Sequence, residues 1–518
     1  MKLFYSDYKQ FQFECTVAER AIPSNAGFTW SDERRAFVAP TIATADKLQQ
    51  YATEPTRKLL DQRMIRTYPQ YKPNEIAHPP ELTPRPYQLD DAVFTLSRNR
   101  SYLAHDPGLG KTIIAILAHN TEPRPIIYLC PAFLCLTVQR EFEKWGTAFY
   151  ESEIANSGTR LFDTSIYNIV PDSVLLNSVI VEAIRKFAIE NDAILFVDEA
   201  HRYKAITAKR TQAIFKRVVP QFSRVVFLSG TPMPNRVSEL FLPLSRLAPE
   251  TIEFKDFHNF GRRYCGGNQV NGHWDYSGHS NTAELAMNMK LFMRKRTTDE
   301  VLTDLPPLTM QAVYLPSLLP KHLEEIEQDI LDSTDCIATT IEEIIAKEKG
   351  VDALQVSTYR KELGMAKVKE TVAYIKDILE TTNESILLFA IHRDVIKELH
   401  KELHKYRPSV LVGSTTHSMR DAMVGAFQAG NTRLFIGNIQ ACGVGFTLTK
   451  ASRVILSEFS WVPGENIQAI KRAHRIGQRS HVLAQYLLYK GALDDQIYHS
   501  GLAKQAVIDA VQEGIESS

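Results

Sequence analysis

Residues 101–120, SYLAHDPGLGKTIIAILAHN, pass from a short apolar segment through a glycine-containing turn into an amphipathic pattern. This is the order of a strand, a phosphate-binding loop and a helix. Such a loop works because successive backbone N–H groups converge on the phosphates. A lysine neutralises them, and a Ser or Thr hydroxyl holds magnesium where the helix begins. Gly108, Gly110, Lys111 and Thr112 stand where that pattern needs them, while His105 occupies the place of its first glycine. His105, Asp106, Pro107, Gly108, Leu109, Gly110, Lys111 and Thr112 are the candidate nucleotide-binding residues, with ATP and Mg2+ as the expected ligands. For the loop read alone, a chance glycine-rich turn is the alternative.

Three later stretches narrow that choice. In AILFVDEAH, residues 193–201, Asp198 and Glu199 follow an unbroken apolar run. The carboxyl end of a buried strand is where open α/β sheets bind ligands. Adjacent carboxylates there suit Mg2+ coordination by Asp198, beside Thr112, and orientation or deprotonation of an attacking water by Glu199. A third apolar run ends in FLSGTPMPN, residues 227–235, whose Ser229 and Thr231 are candidate couplers of the nucleotide site to its surroundings. In the second half, ENIQAIKRAHRIGQ carries Gln468, Arg472 and Arg475 at spacings of 4 and 3, which on a helix share one face. Arginine aimed at a γ-phosphate stabilises the charge of the transition state, and a solvated basic helix is the plainer reading.

The apolar runs fall into two sets, PIIYLC, AILFV and RVVFL, then SILLFA, RLFIG, RVILS and VLAQYLLY. Runs without in/out alternation read as strands of parallel sheets covered on both faces, so two α/β domains are expected. The expected organisation is an accessory module and connector over 1–80, a first RecA-like domain over 81–312 with an insertion at 250–300, a helical bridge over 313–380 and a second RecA-like domain over 381–518. The first segment offers AGFTWSDERRAFVAP and a short helical pattern, a β-hairpin with a helix.

The 518 residues are too many for one ordinary core, and 44% hydrophobic with 23% charged is a globular composition. Lys+Arg and Asp+Glu both number 60, which removes net charge as a guide to partners without excluding nucleic acid. The six cysteines form no C-x-x-C pair, so neither a disulfide framework nor a zinc ribbon is expected and a reducing compartment fits. No run approaches the ~18 apolar residues of a membrane span. A cytoplasmic monomer of bacterial or viral origin is the expectation, nuclear if eukaryotic.

The ordered set RPYQ, HDPGLGKT, LCPAFLCLTVQREFEKW, VDEAH, LSGTPMPN, LLFAIHRDV, ACGVGFTLTKAS and EFSWVPGENIQAIKRAHRIGQ resembles the superfamily-two helicase-like ATPases of the Swi/Snf family. The stretch RRYCGGNQVNGHWDYSGHSNTAEL with FMRKRTTDEVLTDLPP is similar to the branch containing HARP, the HepA-related annealing helicase. The resemblance implies two RecA-like domains with ATP between them and duplex or forked DNA as partner. Gln88 would contact adenine, and the loop would hold the phosphates with Lys111 central. Thr112 and Asp198 would bind Mg2+, Glu199 would be the catalytic carboxylate, His201 and Gln468 would couple the halves, and Arg472 and Arg475 would be the fingers. Trp461 would link the second domain to DNA, or be a plain core tryptophan. His105 and Pro107 depart from residues usually acidic and Met, and Ser229 from a usual threonine.

Arg262, Arg263, Arg294, Lys295 and Arg296 bracket the GGNQVNGHWDYSG stretch and are candidates to line a DNA path. Trp30, with Phe37 and Arg34 or Arg35, is a candidate for recognising unstacked bases, against a role in the module's own core. The expected function is a duplex-DNA translocase that anneals strands or remodels forks. A strand-separating DNA or RNA helicase and a non-hydrolysing clamp or scaffold are the alternatives.

Overall fold

In the computed structural model the loop strand, Arg100–Leu103, lies inside a seven-stranded, wholly parallel sheet. The order is Met293–Arg294, Arg100–Leu103, Arg224–Leu228, Ile194–Val197, Ile126–Cys130, Ile166–Pro171, Glu151–Ile154. The residues described are all except 7–9, 40–41, 64–66, 69–70, 148–150, 157–161, 165, 248–255, 271, 333–352, 443–445 and 517–518. The three runs PIIYLC, AILFV and RVVFL are the strands at its centre, buried on both faces as their unbroken apolar character requires.

A second parallel sheet has six strands, in the order Leu308–Tyr314, Val482–Leu488, Arg453–Leu456, Ile386–Ala390, Leu434–Asn438, Ser409–Leu411. The two sheets belong to two compact units, one mainly of residues 1–106 and 110–296, the other mainly of 297–509. The boundary therefore falls after Arg296 and not after residue 312, because Leu308–Tyr314 pairs along its whole length with Val482–Leu488. The expected bridge over 313–380 is likewise part of the second unit. In helix Ala353–Thr381, Tyr359, Leu363, Val372 and Ile375 join the core of the second sheet. Buried Lys367 of the same helix donates to Asp494 Oδ2 at 2.9 Å and to the Leu487 carbonyl at 3.0 Å. The stretch 333–352 of that bridge lies outside the described residues.

Residues before 64 form an antiparallel four-stranded sheet, Lys2–Tyr5, Phe11–Glu14, Ala36–Val38, Thr29–Ser31, with its own core of Leu3, Phe13, Phe28, Phe37 and Leu60. The expected hairpin, Thr29–Ser31 with Ala36–Val38, is its second half. The segment expected as an insertion holds helix Phe257–Tyr264, hairpin strands Asn268–Val270 and His273–Asp275, and helix Thr282–Lys290. It ends in Met293–Arg294, an edge strand of the first sheet, so residues 293–296 belong to the nucleotide-binding framework.

Candidate nucleotide site

Helix Lys111–Thr121 starts at Gly110, whose φ of +72° and that of Gly108, +94°, are left-handed values that residues bearing a Cβ adopt at a cost. A Cβ on Gly110 would also lie 2.5 Å from Gln88 Nε2, so the amide of Gln88 packs directly over the loop. Gln88 sits in the first turn of helix Pro86–Leu96 and its Oε1 accepts from the Arg85 N–H at 2.9 Å. The Lys111 ammonium is directed back at the loop, donating to the carbonyls of His105 at 2.9 Å and Asp106 at 3.3 Å. Leu109 is buried, and Asp106 meets Lys295 Nζ at 3.0 Å.

Strand Ile194–Val197 delivers Asp198 and Glu199 to the carboxyl end of the sheet, close enough that both carboxylates act on the Lys111 ammonium. Asp198 Oδ1 accepts from the Glu199 N–H at 2.8 Å, and Glu199 itself takes a φ of +50°, an uncommon conformation for a residue with a side chain. Tyr128, buried on the neighbouring strand, donates to Asp198 Oδ2 at 3.0 Å. It therefore holds the carboxylate of one of the two residues expected to bind magnesium. His201 Nδ1 lies 2.9 Å from Ser229 Oγ and 3.2 Å from Glu199 Oε2, and Ser229 Oγ accepts from the Thr231 N–H at 3.1 Å. The three coupling candidates thus form one chain of contacts ending on Glu199.

Charge at the site is frustrated in an informative way. Burial pushes the Lys111 ammonium down to about 8, against the pull of Glu199, Asp198 and Asp106. Burial, with Glu199 beside it, pushes the Asp198 carboxyl up to about 6. An ammonium pushed down and a carboxylate pushed up, side by side at the end of a parallel sheet, are the groups that a polyphosphate and a divalent cation stabilise. The glycine conformations and this donor set fit a nucleoside triphosphate with Mg2+.

A family model of the SNF2-related domain matches residues 64–338, and one of the helicase conserved C-terminal domain matches residues 366–477. The chain belongs to the SNF2 family. Among relatives, SWI/SNF-related matrix-associated actin-dependent regulator of chromatin subfamily A-like protein 1 of Xenopus tropicalis is 31% identical over 80% of this chain and 43% of that protein. The DNA annealing helicase and endonuclease ZRANB3 of Homo sapiens is 32% identical over 79% of this chain and 38% of that protein. The chain thus spans less than half the length of either relative. The Sulfolobus solfataricus SWI2/SNF2 ATPase core in complex with dsDNA aligns with a TM-score of 0.40 at 20% identity, over 87% of this chain and 97% of that one.

In the second unit of this SNF2-family chain the sequence expectation needs one correction. Helix Pro463–Ile470 carries Gln468 but stops before Arg472 and Arg475, so the three do not share a helix face. Past Ile470 the ladder tightens, the Arg472 N–H donating to Ala469 O and the Ala473 N–H to Ile470 O, both at 3.1 Å, and Arg472 O accepts from the Leu448 N–H at 2.9 Å. The two guanidiniums are gathered another way, each donating to the Phe446 carbonyl, at 3.3 Å from Arg472 and 3.1 Å from Arg475. Trp461 is partly buried against the second core, with the Arg360 guanidinium 4.4 Å from its ring.

The other DNA candidates separate clearly. Arg262 is exposed, 5.4 Å from the Trp274 ring, and Arg263 is paired with Glu284. Arg294 and Arg296 both meet the buried carboxylate of Asp91. Trp30 is 43% exposed, stacked edge-on with buried Phe37, and lies under the Arg20 guanidinium at 5.0 Å. Tyr128 and Asp91 escaped the sequence reading. A tyrosine inside a wholly apolar strand is the one signal available, since its buried hydroxyl demands a polar partner.

Proposed function

We propose that the chain hydrolyses ATP and uses the cycle to move along duplex DNA, annealing strands or remodelling forks. The observation that carries this is the meeting of Lys111, Asp198 and Glu199 at the carboxyl end of the first sheet, in a chain of the SNF2 family. Gln88 is assigned to adenine, residues 105–112 to the phosphates, and Thr112 and Asp198 to the metal. Mg2+ there would neutralise charge on the β- and γ-phosphoryl oxygens.

Glu199 takes the proton of the attacking water, and His201 with Ser229 and Thr231 holds its carboxylate in position. Gln468, Arg472 and Arg475 are assigned to sensing and stabilising the charge that develops on the transferred phosphoryl group. The DNA substrate is proposed from relatives whose names include DNA annealing helicases. Contacts to backbone phosphates carry no base information, so movement without sequence preference is expected.

The test is steady-state ATP hydrolysis by the full chain with no nucleic acid, duplex, single-stranded DNA, forked DNA and RNA, with Lys111→Ala as the blank. Stimulation by duplex or fork that disappears in the blank supports the proposal. Stimulation only by single strands or RNA replaces it with a strand-separating helicase, and no hydrolysis under any condition replaces it with a clamp or scaffold.

A further inference from the structure

Asp91 belongs to none of the nucleotide motifs, yet it is fully buried among three basic side chains. His105 Nε2 lies 2.9 Å from its Oδ2, Arg294 Nε 3.1 Å from its Oδ1 and Arg296 Nε 3.3 Å from its Oδ2. Burial works to raise this carboxyl, but His105 and then Arg296 outweigh it and hold the group below the usual carboxylate range. A buried carboxylate is tolerated only when it is surrounded in this way.

The partners come from two segments that are far apart in sequence. His105 opens the phosphate loop; Arg294 comes from the edge strand at the end of the 256–292 segment and Arg296 from the chain just after it. That stretch also holds the loop through its backbone, the Ala104 N–H donating to Arg294 O at 2.8 Å and the Asp106 N–H to Arg296 O at 3.0 Å. Alternation along an extended chain then sends Arg294 and Arg296 to Asp91 and Lys295 the other way to Asp106. Asp91 itself lies three residues after Gln88, on the same side of helix Pro86–Leu96.

A glycine at position 105 would permit the turn and anchor nothing. The histidine side chain instead points into the protein at Asp91, and the carbonyls of His105 and Asp106 are left facing Lys111 Nζ. We propose that Asp91 is a positioning residue for ATP binding: through His105 it fixes the backbone of the phosphate loop and so sets where the Lys111 ammonium stands. This rests on the ATP reading above.

The experiment measures binding of a fluorescent ATP analogue and duplex-stimulated hydrolysis for the wild-type chain, Asp91→Asn, His105→Gly, the double variant and Lys111→Ala, with thermal unfolding of each. Asp91→Asn is expected to raise the Kd and the KM for ATP about tenfold, because small misplacements of a positioning group are expensive. The kcat should stay within about threefold, since the groups that act on the reacting atoms are untouched. In the His105→Gly background the same substitution should change KM less than about twofold, the loss of additivity expected of residues acting through one another.

A folded Asp91→Asn variant that binds like wild type overturns the proposal. So does an undiminished penalty in the His105→Gly background, which would make Asp91 a general support of the fold. Wild-type hydrolysis by Lys111→Ala would overturn the ATP reading itself. Should Asp91→Asn fail to fold, Arg296→Gln, whose side chain is 19% exposed, replaces it with the same expected pattern and the same overturning results.

Discussion

Glu199 and Tyr128 divide the work at the carboxylates. Glu199 has its carboxylate 3.2 Å from His201 and its N–H on Asp198, so Glu199→Gln keeps the shape of the turn and removes only the base. Nucleotide binding should be unchanged while hydrolysis falls by about 10²–10⁴-fold, which parallel binding and turnover assays would separate. Tyr128 donates its phenol to Asp198 Oδ2 at 3.0 Å and so holds the carboxylate assigned to the metal. Tyr128→Phe is expected to raise the Mg2+ concentration for half-maximal hydrolysis about tenfold, the usual cost of losing an outer partner of a metal ligand. A magnesium titration at saturating ATP checks this, and an unchanged half-point would reduce Tyr128 to core packing.

The amino-terminal sheet uses its two facing aromatics differently, although the sequence presents them alike. Phe37 is 6% exposed in the module's core, and Trp30 stands outside it with its indole N–H donating to Asp32 Oδ1 at 2.7 Å. Phe37→Ala should destabilise the module by about 3 kcal/mol, visible as a lower unfolding temperature. Trp30→Ala should leave that temperature unchanged and remove any preference for forked over plain duplex DNA in the hydrolysis assay, leaving duplex stimulation in place. Equal loss on both substrates would contradict a recognition role. The two expectations follow from where each strand lies: the paired rings share one face of the sheet, but Trp30 is on the edge strand Thr29–Ser31 and Phe37 on the inner strand Ala36–Val38, and the sequence does not show which strand is the edge.

With 60 basic and 60 acidic residues, the molecule has no net attraction for a polyanion. DNA affinity must come from local groups whose charge is not already spent. Arg262 is exposed beside Trp274, whereas Arg263 is neutralised by Glu284. Arg262→Ala should therefore lower the slope of log affinity for duplex against log salt by about one contact's worth, and Arg263→Ala by clearly less. Fluorescence anisotropy across a salt series measures both; equal slopes for the two variants would remove this segment from the DNA path.

The two parallel sheets, the glycine turn before helix Lys111–Thr121 and the position of Asp198 and Glu199 after strand Ile194–Val197 were legible in the sequence, because each is written as local periodicity or as a short motif. The charge network did not come through. Arg294 and Arg296 read as surface cations because sequence has no way to show a carboxylate some 200 positions away, and Asp91 supplies it. Tyr128 beneath Asp198 was hidden for the same reason, its partner being 70 positions away. The shared helix face expected for Gln468, Arg472 and Arg475 was lost because after Ile470 the ladder tightens to i→i−3 turns, and Leu448 then pairs with the Arg472 carbonyl. Patterns along the chain fix what each segment can form; which buried charges meet, and where a helix stops, is decided by distant partners that only the folded chain brings together.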